Sequence, residues 1–146
     1  KHSVRKDDEL CWLSERVRWD YIISSLSVHY SPDKGRRAIP VRKLAGLLIL
    51  KRIYGGSDET ILREWVKNPH FQYFCGEIYL QSRPPASRFD LVKFRGRIGK
   101  KGMEAIFYPE LLNYIEYFKE KTTAQEQPWN FRQFFRALFY LRGSVG

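Results

Sequence analysis

Apolar positions along this chain recur mostly at three- and four-residue spacing, and the alternation typical of strands is scarce, so the pattern predicts an all-α domain. Residues 8–28 read as a first helix, with Leu10, Leu13, Val17 and Tyr21 on one stripe and Trp12 and Trp19 beside it. The turn cluster Ser31-Pro32-Asp33-Lys34-Gly35 ends it. A second helix spans about 40–54. Pro40 suits a first helical turn, and the residues that follow are too apolar for a surface helix, which marks this as the central core element. Gly55-Gly56 stops it, and Ser57 can cap a third helix whose first turn carries Asp58 and Glu59, where the helix dipole favours acids. Ile61, Leu62, Trp65 and Val66 give that helix one buried face, and Pro69 closes it.

A short aromatic segment, Phe71 to Phe74, follows, and then an irregular stretch over 77–86 stiffened by Pro84-Pro85. Ser87 with Asp90 three residues on forms a capping-box pattern, which opens a helix reaching Ile98 before Gly99 ends it. Helical spacing resumes from Met103 to about Lys119. The expected architecture is a compact multi-helical domain with a helix-turn-helix-like part, followed by a poorly packed helical or disordered tail. Its divisions are an N-terminal helix over 1–30, a helical domain over 31–107, a helical extension over 108–121 and a divergent tail over 122–146.

Charge adds a function to this frame. The net charge of +10 is concentrated: residues 34–52 carry +7 and residues 83–101 carry +6, while the remaining segments are acidic or balanced. Clustered Lys and Arg on a domain that is 43% hydrophobic, and therefore able to fold, suit a polyanion, because they release counterions condensed on phosphates. Nucleic acid is the leading partner, with a generic solvated surface as the alternative. Other chemistry is thin. Cys11 and Cys75 lack the close companions of a zinc site, and both read as reduced, buried residues. His70 lies five residues before Cys75, but two candidate ligands do not make a tetrahedral site, and His2 and His29 are isolated. No segment has the length and apolarity of a membrane span or signal peptide, so a cytoplasmic protein is expected. The first residue, Lys1, predicts a fragment or a missing true start.

A family resemblance sharpens the partner. The stretch from Gly35-Arg36-Arg37-Ala38-Ile39-Pro40-Val41-Arg42 into Leu44-Ala45-Gly46-Leu47-Leu48-Ile49-Leu50-Lys51-Arg52-Ile53-Tyr54-Gly55 is followed by an ordered series: Ser57-Asp58-Glu59, Glu64-Trp65-Val66, Asn68-Pro69, Tyr73-Phe74-Cys75-Gly76-Glu77 and Phe94-Arg95-Gly96-Arg97-Ile98-Gly99. Together, over about Tyr30 to Phe107, these resemble the N-terminal domain of bacterial insertion-sequence transposases of family five, the InsH type. The resemblance implies a helical domain that binds duplex DNA at the element's ends, with a possible homo-oligomer. It also implies a following RNase H-like domain whose Asp, Asp, Glu triad holds two divalent metals. Lys121-Thr122-Thr123-Ala124-Gln125-Glu126 looks like the segment that bears the first of those aspartates, with lysine in its place. Residues Pro128 to Gly146 hold Trp129, Phe131, Phe134, Phe135, Phe139 and Tyr140 with three arginines and no acid. A truncated or frame-shifted copy, catalytically inactive and without a cofactor of its own, is the expectation. Asp58, Glu59 and Glu64 then serve as helix-start and surface residues.

Two helix pairs could read DNA with their second member. The pair joined by Gly55-Gly56 begins its second helix with two acids that would face phosphates, so it reads as scaffold. In the helix opening at Ser87, Leu91, Phe94 and Ile98 share one face and Lys93 and Arg97 fall opposite, with Lys100 and Lys101 just beyond. Gly96 lies outward between them, where a phosphate could approach the backbone closely. Arg95 sits nearer the apolar face, with its head expected to snorkel outward. Arg36, Arg37, Arg42 and Lys43 flank the start of the core helix and Lys51 and Arg52 its end, as candidate phosphate contacts that position a duplex. Two other function classes stand beside DNA binding: a helical interaction or oligomerisation module, and membrane-surface association through an amphipathic helix over Trp129 to Arg142.

Overall fold

The computed structural model describes residues 9–29 and 38–124. Within them the chain forms seven helices and no strand: α1 (Glu9–Arg16), α2 (Trp19–Leu26), α3 (Val41–Tyr54), α4 (Asp58–Lys67), α5 (Pro69–Phe74), α6 (Arg88–Ile106) and α7 (Pro109–Ala124). The turn cluster at 31–35, the basic pair Arg36 and Arg37, and the aromatic tail beyond Ala124 lie outside the described residues.

The central position of α3 follows from its composition. Every residue from Leu44 to Leu50 is buried, with Ile53 and Tyr54, so no side of the helix is left for solvent except near its ends. It is packed by α2, α4 and α6, while α1 lies against α5 and α7. Gly46 allows the close approach of the α5 terminus: a Cβ there would stand 2.7 Å from Cys75 Sγ. Burial pushes the Cys75 thiol up to about 12, so it is a neutral packing group. The α3 helix ends at Gly55, whose φ of 79° and ψ of −167° belong to a region essentially restricted to glycine. Ser57 Oγ then accepts from Thr60 N at 3.1 Å and starts α4 as the sequence pattern predicts.

Three boundaries differ from the sequence pattern. The first predicted helix is two, broken at Val17 and Arg18, where there is no proline or glycine. The break is held from outside by Tyr108 Oη, which accepts from Arg18 N at 2.8 Å, and locally by Trp19 Nε1, which donates to Ser14 O at 3.0 Å. The apolar stripe accordingly passes to Ile22 and Leu26, while Tyr21 is 37% exposed. Pro69 opens a helix rather than only closing one, because Asn68 Oδ1 accepts from His70 N at 2.9 Å and proline suits the first helical position. Finally, the helix opened at Ser87 is interrupted at Gly99 as the pattern predicts, but a second segment resumes directly after that kink and runs to Ile106, so α6 is two segments, and Phe107 and Tyr108 then separate it from α7, which starts at Pro109.

One continuous core results. It joins Leu10 and Leu13 of α1, Ile22 and Leu26 of α2, and Leu111, Ile115 and Phe118 of α7 to the buried residues of α3 to α6, and so draws on both sides of the 31–107 span. The irregular segment after α5 is tied to it by Gln72. That buried side chain donates to Trp65 O, Val66 O and Gln81 O at 3.3, 3.2 and 3.0 Å and accepts from Gln81 N at 2.7 Å.

Candidate nucleic-acid interface

The first half of α6 is built as its sequence suggests. Asp90 Oδ2 accepts from Ser87 N at 2.8 Å and Ser87 Oγ accepts from Asp90 N at 3.1 Å, which completes the capping box and spends the helix's one early acid on its own start. Leu91, Phe94 and Ile98 enter the core, and Lys93 and Arg97 are exposed on the opposite side. Between these cations Gly96 is open: a Cβ there would meet nothing within 4 Å, so the helix backbone is accessible from outside.

Gly99 then kinks the helix. Its φ of 63° and ψ of −166° lie outside the conformations of other residues, and the turn brings Gly102 hard against Ile98, whose Cβ would be 2.3 Å from a Cβ on residue 102. The kink re-aims the helix. Beyond it Lys100, Met103, Glu104 and Phe107 share one face at helical spacing, and that face meets Leu48, Lys51 and Arg52 of α3 and Gly55 just after it across an open cleft of about 680 Å³.

Two lining residues of this cleft, Lys51 and Arg95, belong to an ion cluster. Asp58, buried at the start of α4, accepts from Arg95 at 2.7 and 3.1 Å and from Lys51 Nζ at 2.9 Å. The Arg95 guanidinium holds the Asp58 carboxyl below the ordinary carboxylate range, burial opposes this, and Lys51 adds to the lowering. Two cations share one carboxylate, so the cluster keeps net positive charge. The sequence pattern sends the Arg95 head outward; it is instead captured by Asp58, which turns inward from α4 and faces no external phosphate. Arg52 lies on the rim with its guanidinium 5.5 Å from the centre of the Phe107 ring.

The ten candidate positions therefore separate. Lys93, Arg97, Lys100 and Lys101 are exposed along α6, and Lys51 and Arg52 join Lys100 around the cleft. Arg42 and Lys43 sit at the other end of α3. Arg42 stacks over Trp19 at 4.4 Å and reaches Phe74 O at 3.5 Å, while Lys43 Nζ is bound to the buried Glu77 at 2.7 Å. Both are engaged in holding the fold. The remaining candidates, Arg36 and Arg37, are outside the described residues. Met103, Phe107 and the Asp58 clamp were not singled out in sequence, although the spacing of Lys100, Met103, Glu104 and Phe107 carries a helical signal.

No three His, Cys, Asp or Glu side chains come together as a metal ion would require among the described residues. Lys121 belongs to α7, its Nζ 5.6 Å from the centre of the Tyr117 ring, and the neighbouring Thr122 hydroxyl donates to Phe118 O at 2.9 Å. No helix among the described residues is long and apolar enough to cross a membrane.

Residues 1–97 match the family described as transposase domain (DUF772). Among curated proteins, an uncharacterized protein, ORF8 in the nfe locus of Rhizobium meliloti, is 33% identical over 90 residues, covering 62% of this chain and 43% of that protein. The aligned stretch thus spans less than half of that relative. No solved structure matches.

Proposed function

The chain belongs to the transposase domain family (DUF772), and from that premise we propose that it is a duplex-binding module of an insertion-sequence transposase of family five, docking on the element's ends through the outer face of α6. The observation that carries this is the exposed series Lys93, Arg97, Lys100 and Lys101, with the bare backbone of Gly96 among them and Asp90 already committed to the helix cap. Cations in such a row neutralise successive phosphates, and a side-chain-free helix turn lets a backbone phosphate come closer than it could over alanine. The inward turn of Asp58 supports the same docking, because it removes from the surface one of the acids that would repel the duplex.

Binding proceeds here without strand cleavage. What supports this part of the proposal is Lys121, which stands in α7 at the position where the resemblance calls for a metal-binding aspartate. Duplex-binding titrations at several salt concentrations, comparing Lys93→Ala and Arg97→Ala with Arg63→Ala and Lys67→Ala, test the binding face. Strand breaks produced by the purified chain with magnesium or manganese, and abolished by Lys121→Ala, would overturn the inactivity.

A further inference from the structure

We propose that the cleft between the C-terminal half of α3 and the second segment of α6 seats a single unpaired nucleotide of a DNA strand, its base on the Arg52–Phe107 stack and its phosphate on Lys100 and Lys51. The proposal rests on the duplex-binding reading of α6 and specifies what lies beyond its last exposed turn. A cavity of about 680 Å³ falls within the range of small-molecule sites, whereas a duplex is too wide to enter and would lie across the mouth.

The lining is divided in the way a nucleotide is. Leu48, Met103 and Phe107 make an apolar wall, and the basic groups stand around it. Phosphate contacts alone would not need that wall; a base face does. The Arg52 guanidinium already lies over the Phe107 ring, and planar guanidinium and aromatic surfaces are the two platforms on which unstacked bases rest. At the inner end Asp58 fixes Lys51 and Arg95 in place while neutralising only one of them, so positive charge is held in position before any ligand arrives. Arg52 and Lys100 are paired with no carboxylate among the described residues, and Glu104 is the one acid on the cleft wall.

Continuity selects a strand as the occupant. Arg97 and Lys100 are three residues apart across the Gly99 kink, and beyond that kink Lys100 lines the cleft. A backbone followed along Lys93 and Arg97 therefore arrives at the cleft mouth. A base displaced from the duplex at that point has a wall to stack on, and its cost of unstacking is least where it is already unpaired.

The test uses the full chain and three probes: a flush duplex, the same duplex with one unpaired 2-aminopurine nucleotide, and free 2-aminopurine nucleoside monophosphate. The bulged duplex should bind about fivefold or more tighter than the flush one, as stacking of one base on such a platform provides, and its 2-aminopurine emission should fall on binding. Arg52→Gln, a surface change, should bring the two duplexes within about twofold and abolish the emission change. Phe107→Leu, which keeps an apolar side chain, should do the same if circular dichroism shows it folded. Equal affinity for both duplexes, with flush binding intact, would overturn the cleft proposal and leave the duplex face standing. No binding to either duplex would remove both. Competition by the free monophosphate at strand-equivalent concentration would overturn the strand as the occupant.

Discussion

Replacing Gly96, Gly99 and Gly102 with alanine, one at a time, should move stability in opposite directions although all three lie on α6. At Gly96 the backbone is helical and exposed, and the added methyl meets nothing, so the variant should gain about 1 kcal/mol from restored helix propensity. At Gly99 the surroundings are equally open, but the positive φ remains; holding alanine there costs about 1–3 kcal/mol. At Gly102 the obstacle is contact. A Cβ 2.3 Å from Ile98 Cβ and 2.8 Å from Cγ1 cannot be relieved by turning the end of a flexible chain, so the kink must open, at about 1–3 kcal/mol or more. Urea midpoints followed by far-ultraviolet circular dichroism would order the variants as Gly96→Ala above the parent and the other two below it. The stabilised Gly96→Ala protein should nevertheless bind duplex about fivefold more weakly, the loss of roughly one phosphate contact to the bare backbone. A destabilised Gly96→Ala, or a neutral Gly102→Ala, would refute the kinked geometry of α6. A Gly96→Ala protein with undiminished affinity would refute the close approach of phosphate at that turn.

Asp58→Asn should cost about 2 kcal/mol at neutral pH, since it removes charge-assisted bonds from Arg95 and Lys51. Because the folded carboxyl is held below its ordinary range, its contribution is complete above about pH 4 and is lost as pH falls through the folded value; the gap between parent and variant in urea midpoint should therefore narrow toward pH 3. A gap that is constant or widens toward acid would contradict the clamp. Gln72→Ala should free the segment after α5, seen as faster amide exchange at Gln81 and faster proteolysis within 77–86, with exchange in α3 little changed. Unchanged protection at Gln81 would show that the segment is held by other contacts.

What the sequence discloses about this fold is local. Ser57 and Ser87 sit beside the residues they cap, Gly55-Gly56 must terminate α3, and the all-round apolarity of 44–50 can only be satisfied at the centre of a helical core. The break at Val17 and Arg18 is not legible locally because the contact that holds it from outside, Tyr108, is 90 residues away. Gly99 is a visible interruption whose consequence is not visible, since resumption of the helix depends on Gly102 packing against Ile98. The exposed cations Lys93 and Arg97 follow from period and polarity alone. The cleft does not, because half of it lies on α3 and half on α6, and the charge that matters there depends on Asp58 turning inward between Lys51 and Arg95. Other internal contacts are equally invisible in sequence: Arg42 lies over Trp19 and Lys43 is bound to the buried Glu77, so both help to hold the fold.

The outer face of α6 is tested most directly by the salt dependence of duplex binding. Titrations of the parent chain at several ionic strengths should give a linear fall of log K with log salt, and Lys93→Ala and Arg97→Ala should each reduce the slope by about 0.9 with similar losses on unrelated sequences. Arg63→Ala and Lys67→Ala, equally exposed on α4 but beside Glu59 and Glu64, should leave the slope unchanged. Equal effects from both pairs, or salt-independent binding by the parent chain, would contradict the assignment of α6 as the DNA-binding face.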